Sequence, residues 1–210
     1  MLLIFTVITG IIYPLVMTGI AQVLFKNQAN GSLVSYKGRI VGSSLLCQEF
    51  VNNKTGNPLP QYFQPRPSYA IVGWSLSQYK NGKYYISGTG PDNYGCNPLY
   101  SSASNLGPTN PAQIQFVRQQ LAAISKFDHV PESKIPSDAV TGSGSGLDPD
   151  ISPANAAIQV DRVAAARHIT PAQVEVLVQK YTTGRTLGFL GDPVVNVLLL
   201  NRALDEQYPV

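Results

Sequence analysis

The first charged side chain in this sequence is Lys26. Ahead of it, Met1 to Phe25 (MLLIFTVITGIIYPLVMTGIAQVLF) carries only Thr6, Thr9, Thr18 and Gln22 as clearly polar side chains. At about 1.5 Å per residue, a helix of this length reaches across a hydrocarbon core of roughly 30 Å. A surface helix of a soluble domain keeps one polar face, whereas a helix that is apolar all round suits lipid, where the backbone amides are satisfied internally. Residues 1–25 are therefore read as a transmembrane helix anchor, with a kink expected at Pro14. The competing reading is a cleaved signal peptide, because Gly19-Ile20-Ala21 offers small residues around a cut. No basic residue flanks the apolar run on its N-terminal side, and this favours retention. Lys26, Lys37 and Arg39 follow the span and, counted alone, would hold the remainder in the cytoplasm. Long domains cross regardless of such charges, so the side stays open.

Residues 26–210 are long enough for one soluble domain with its own core. Cys47 and Cys96 are the only cysteines. They cannot build a structural zinc site from thiolates, and they allow at most one internal disulfide; two unrelated buried thiols fit the sequence equally well. Met1 to Phe127 holds nine basic and two acidic residues, and Asp128 to Val210 six basic and ten acidic. The positive half suits anionic lipid headgroups or an acidic partner, or is an ordinary solvated surface. Its basic residues are dispersed through loops and form no patch of the kind nucleic acid requires.

The region NGSLVSYKGRIVGSSLLCQEF reads as extended segments about a turn at Lys37-Gly38-Arg39, with a second turn at Asn30-Gly31. Residues 51–108 are rich in Asn, Gly, Pro, Ser and Tyr, and predict irregular chain with short strands. Four pairs then announce helices: Asn110-Pro111, Ser152-Pro153, Thr170-Pro171 and Asp192-Pro193. Each sets a capping oxygen before a proline at the first helical position, and Gln113 and Gln173 complete capping boxes in two of them. Apolar stripes follow: Ile114, Val117, Leu121 and Ile124; Ala157, Val160, Val163 and Ala164; Val174, Leu177, Val178 and Tyr181; and Val194, Val197, Leu198 and Leu204. The expected fold is α+β, with one N-terminal transmembrane helix, early strands and about four later helices.

The run VTGSGSGLDPDISPANAA, Val140 to Ala157, is the one stretch that looks like a ligand loop. A phosphate-binding loop needs a lysine that is absent here, and a calcium loop needs more carboxylates and a closing Glu. What fits is a glycine-permitted turn leading to Ser152 as helix cap, with Asp148 and Asp150 near the positive end of the helix. His129 lies in a linker beside Pro131, and His168 sits near a helix C-terminus. Neither stands in a catalytic motif, and the carboxylates lack metal-ligand spacing. No catalytic residue and no metal ligand is expected.

Taken in order, YPLVMTGIAQVLF, QANGSLV, GSSLLCQEF, YFQPRPS, SASNLGPTNP, VTGSGSGLDPDISPANAAIQVDRVAAAR and GRTLGFLGDPVVNVLLLNRALD resemble the KdpC family, the C subunit of the Kdp-type potassium-transporting P-type ATPase. The departures are an insertion over residues 68–100 and Cys47, where the family often has glycine. The resemblance implies a single-pass subunit of the inner membrane. Its partners would be a KdpA-like channel subunit, a KdpB-like ATPase subunit and a small KdpF-like subunit, along with membrane lipid. It implies a non-catalytic role, in keeping with the absence of a DKTGT phosphorylation motif. It also implies a catalytic chaperone that assembles the complex and raises the ATP affinity of the ATPase subunit. In that role no cofactor is bound tightly, and ATP is met in a transient ternary complex. Gln159, in AAIQVDRV, is the residue this assigns to nucleotide. The resemblance favours an extracytoplasmic soluble domain, from which ATP affinity would be altered through linked conformational states. The alternative is an anchored or secreted envelope binding domain unrelated to transport, with Asp148, Asp150 and His168 as its best site material.

Overall fold

The computed structural model describes residues 1–52, 54–69, 75–80, 83–87, 96, 98–99 and 101–210, with backbone only over 75–80 and 83–87. About half of the 68–100 insertion lies outside the described residues. The chain forms two compact units, Met1–Leu45 and Leu46–Val210.

In the first unit, helix α1 (Leu2–Leu24) has a mean hydropathy of 2.1, and none of its apolar window is buried in protein. It is one helix long and apolar enough to cross a membrane. Ile8–Ile12 is wound as a π turn, in which Tyr13 N–H donates to Ile8 O, and α-helical geometry resumes at Tyr13–Leu24. The wide turn falls just before Pro14, whose missing N–H and ring disturb the preceding ladder. Thr6, Thr9 and Thr18 turn their hydroxyls back to carbonyls four residues earlier, so the few polar side chains of the span are satisfied within it. Strands β1 (Leu33–Tyr36) and β2 (Arg39–Ser43) pair antiparallel about Lys37-Gly38. Both turn residues have positive φ, 48° and 77°, the geometry that matches a two-residue hairpin to strand twist.

In the second unit, β3 (Ser75–Lys80) and β4 (Lys83–Ser87) form an antiparallel hairpin inside the insertion. Helix α2 (Pro111–Asp128) follows, then β5 (Asp150–Ile151), α3 (Pro153–Arg167), α4 (Pro171–Lys180), β6 (Thr182–Thr183), β7 (Val194–Asn196) and α5 (Val197–Gln207). The three short strands make an antiparallel sheet in the order β5-β7-β6, with Ile151 opposite Val195 and Thr182 on its other side. The core joins α3, α4, α5 and this sheet through Val160, Val163, Val174, Leu177, Val195, Leu200 and Leu204. Phe63, fully buried, enters it from the irregular segment ahead of the insertion.

Three of the four expected helix starts are present, at Asn110, Ser152 and Thr170. Thr170 and Gln173 exchange both bonds of a capping box. Gln113 does not form one: Asn110 accepts from Ala112 N–H, and the Gln113 carbonyl instead accepts from the Tyr69 hydroxyl at 3.4 Å. Asp192-Pro193 opens a strand, not a helix. Val194 and Val195 are β-branched and fill the middle of the sheet, and Asn196 supplies the cap by accepting from Leu199 N–H. The buried face of α2 also differs from the expected stripe. Ala112, Phe116 and Gln120 point inward, four residues apart, while Ile114 is 40% exposed. On α3, Ala164 is buried as expected, but Ala156 takes the buried place expected of Ala157, which is exposed.

Candidate functional site

Pro60, Pro65 and Pro67 interrupt the segment that precedes the insertion. Proline supplies no N–H, so this stretch cannot enter a sheet, yet its buried main-chain groups still need partners. Side chains from the helices provide them. Asn201 on α5 pairs with both main-chain groups of Phe63, accepting from its N–H and donating to its carbonyl at 2.8 Å each. Gln159 on α3 does the same for Gln64, accepting from N–H at 2.7 Å and donating to O at 3.2 Å. Arg162 donates to the carbonyls of Pro60 (2.6 Å) and Tyr62 (2.8 Å), and Arg167 to that of Gln61 (2.7 Å). Two carboxamides and two guanidiniums thus hold an irregular strap against the helical layer.

The arginines are themselves anchored. Arg162 Nε lies 2.6 Å from Asp128 Oδ1, with both side chains 5% exposed, and its guanidinium stacks 4.3 Å from the centre of the Phe127 ring. Burial pushes the Asp128 carboxyl above the ordinary carboxylate range, against the pull of Arg162 and of His129. Arg167 donates to Asp205 and to the Tyr208 carbonyl, both at 2.7 Å, and Tyr62 O–H reaches the other Asp205 oxygen at 3.1 Å.

Between the strap, α2 and α3 lies a cavity of about 500 Å³. Its walls are Pro58, Pro60, Pro65, Pro67 and Ala123 together with Ile124 and Phe127. The polar groups on it belong to Glu49, Gln120, Asp128, Asn155, Gln159 and Arg162, with Lys126 and His129 exposed among the lining residues. Burial raises the Glu49 carboxyl above its ordinary value of 4.5, and a backbone hydrogen bond from Cys96 opposes this. Over the window from 4.5 up to its raised folded value, the folded chain holds a proton that the unfolded chain has released. Stability therefore falls as pH rises through that window. Glu49→Gln is expected to flatten this part of the stability curve and to leave the variant at least as stable as the parent at pH 7. Urea unfolding between pH 4 and 7 checks this; an unchanged slope would contradict it.

The glycine-rich run is a clasp. Ser143 N–H donates to Pro67 O at 3.0 Å, and Ser68 Oγ donates to Gly146 O at 2.7 Å. Ser102 N–H and Ser101 Oγ both donate to Ser145 O, at 3.1 and 2.8 Å. Cys47 N–H donates to Leu147 O, and Cys47 is disulfide-bonded to Cys96 with a Cα–Cα distance of 5.9 Å. Gly142 lies against the Tyr69 ring, so closely that an added Cβ would collide with it. Burial pushes the Tyr69 hydroxyl up to about 12. Gly142→Ala is expected to cost about 1–3 kcal/mol, the usual penalty for overpacking, as a lowered urea midpoint with unchanged slope.

The residues singled out in the sequence are dispersed. Gln159 lines the cavity with its hydrogen-bonding capacity engaged, since Arg162 also donates to its oxygen (2.7 Å) and its nitrogen also donates to Asn155 (3.0 Å). Asp148 pairs with Arg66 at 2.8 Å, and Asp150 accepts from Asn196 on the sheet. Neither caps α3. Ser152 does, and the acid that holds it is Asp138, which accepts from the Ser152 N–H and hydroxyl and from Asn155 Nδ2. His129 and His168 end α2 and α3 in the left-handed conformation, with φ of 55° and 56°. Among the described residues, no group of three or more His, Cys, Asp or Glu side chains is gathered to hold a metal. Sequence reading missed Asp138, Arg162, Arg167, Asn201 and Gln120. The one available signal was the row Asn155, Gln159, Arg162 and Arg167, polar residues at positions i, i+4, i+7 and i+12 of α3.

A family model described as "KdpC: K+-transporting ATPase, c chain" matches residues 1–206. Curated relatives named potassium-transporting ATPase KdpC subunit agree. The protein from Mycobacterium tuberculosis (strain ATCC 25618 / H37Rv) is 45% identical over 98% of this chain and 94% of its own length. That from Beijerinckia indica is 43% identical over 100% and 91%, and that from Methylococcus capsulatus 44% over 98% and 93%. With a match that runs from the apolar helix through the clasp to α5, the chain belongs to the KdpC family.

Proposed function

We propose that this chain is the accessory C subunit of an ATP-driven potassium uptake pump, anchored by α1 and carrying its second unit on the extracytoplasmic side. Its partners in this reading are a channel-like A subunit, an ATP-hydrolysing B subunit and a small F subunit. Family membership supports the subunit role, and takes the ground from an envelope binding domain unrelated to transport. The observation that carries the sidedness is the Cys47–Cys96 disulfide, because such bonds persist in oxidising compartments and are rare in the cytosol. The chain itself performs no chemistry in this proposal. It assembles the complex and raises the ATP affinity of the B subunit through linked conformational states. Gln159 then acts as a clamp on the strap, and a nucleotide could reach its amide only by displacing Gln64, Asn155 or Arg162.

A Val176→Cys variant, at a 63% exposed position of α4, tests the placement. A membrane-impermeant maleimide applied to intact cells is expected to label it. Labelling only after the membrane is opened would overturn the extracytoplasmic reading. Isolation in mild detergent is expected to bring large polytopic companions with the chain; recovery of the chain alone would overturn the subunit role.

A further inference from the structure

On the cavity walls the donors of Arg162, Asn155 and Gln159 are engaged, while acceptors remain. Arg162 spends its fork on Asp128, Gln159 and two carbonyls, and Asn155 donates to Asp138. Gln159 donates to Gln64 and to Asn155. Gln120 stands apart. It is 4% exposed, it occupies an inward position on α2 between apolar neighbours, and its Oε1 has no hydrogen-bond partner among the described residues. Asp128 uses Oδ1 for Arg162, and its second oxygen accepts no hydrogen bond from the described residues. Leaving a buried carboxamide oxygen unpaired costs about 1–3 kcal/mol, which a leucine or methionine at that position would avoid. Sites that carry such a cost, beside a concave apolar wall of ligand-binding size, are where binding groups are kept.

We propose that this cavity is a receptor pocket for an apolar aromatic group that donates a hydrogen bond, of the indole or phenol type, to Gln120 Oε1. Phosphate is the wrong ligand for its interior. The one guanidinium there is neutralised by Asp128, and Gln120 Oε1 and the second Asp128 oxygen repel an anion, while Lys126 and His129 are exposed to solvent. The ring fits the proline-walled space, and its N–H or O–H answers the buried acceptor once the Gln120 carboxamide turns toward that space. The inference does not rest on the chain's role in a pump. The same chemistry is offered by a free small aromatic molecule and by a tryptophan or tyrosine side chain of a partner subunit.

The probes are indole and 1-methylindole, which differ in the N–H donor, with inorganic phosphate as the anion. Binding is followed by ligand-observed NMR on the full chain in detergent, with Gln120→Met in the same detergent controlling for uptake by micelles. Indole is expected to bind about tenfold more tightly than 1-methylindole, the ratio of one retained hydrogen bond, and phosphate not to compete. Gln120→Met is expected to bring the two probes to equal affinity while raising the chain's own urea midpoint. Equal affinities for wild type, competition by phosphate, or a lowered midpoint in Gln120→Met would each overturn the proposal; the last would mean that the amide has a structural partner. Retained indole binding in the assembled complex assigns the pocket to a free molecule. Loss of binding on assembly, with binding kept by the isolated chain, assigns it to a partner's side chain.

Discussion

Arg162→Met is expected to destabilise the second unit by about 3–5 kcal/mol, the cost of leaving one member of a buried ion pair alone. The substitution removes the 2.6 Å contact to Asp128, strands that carboxylate at 5% exposure, and withdraws the donors that hold the Pro60 and Tyr62 carbonyls. Set against a total stability of about 5–15 kcal/mol for an ordinary domain, this is a large fraction. Urea unfolding in detergent measures it. Arg162→Met/Asp128→Leu is expected to recover part of the loss by removing the stranded charge, but not the part due to the strap. Arg162→Lys keeps the charge without the planar fork, and is expected to fall nearer to methionine than to wild type. A loss below about 1 kcal/mol for the single variant would show that the strap does not depend on this side chain.

The second large effect is expected on opening the Cys47–Cys96 bond. These residues are separated by 49 positions. In the chain-entropy account, closing a loop of that length removes about 4 kcal/mol of freedom from the unfolded chain. Cys47→Ser/Cys96→Ser, or the parent under reductant, is thus expected to unfold at markedly lower denaturant. In the native protein, alkylation without prior reduction is expected to leave both sulfurs unmodified. Modification of either under those conditions would remove both the stability argument and the support it gives to an exported domain.

Much of the fold was legible because local rules acted alone. The uncharged leader, the Lys37-Gly38 hairpin and three Xaa-Pro helix starts depend on a few neighbouring residues, and each is present. Local rules failed where a tertiary partner outbid them. Asp192-Pro193 has the chemistry of a helix start, but Val194 pairs with Thr183, and Val195 is held on both sides, by Thr182 and by Ile151 more than forty residues away. Gln113 has capping-box spacing, but Tyr69 offers it a hydroxyl. The candidate site was the least legible part. The sequence pointed to Gln159 without its neighbours, since nothing local indicates that a mid-helix carboxamide will serve the backbone of a residue ninety-five positions earlier. Gln120 passed unseen because a glutamine beside the apolar stripe of α2 reads as solvent-facing, when in fact it occupies the buried face.

The clasp over residues 143–147 receives the chain on both sides of the insertion, at Pro67 and Ser68 and again at Ser101 and Ser102. The two stems are therefore brought together by a third segment, and Tyr69 and Cys96 add ties from within the insertion, to Gly142 and to Cys47. Lengthening a loop whose ends are already fixed adds little entropic cost, with each doubling amounting to about 0.6 kcal/mol. Between Tyr69 and Cys96 the chain therefore behaves as an exchangeable cassette: segments of different length and character can be spliced there while those two anchors and the helical layer keep their packing.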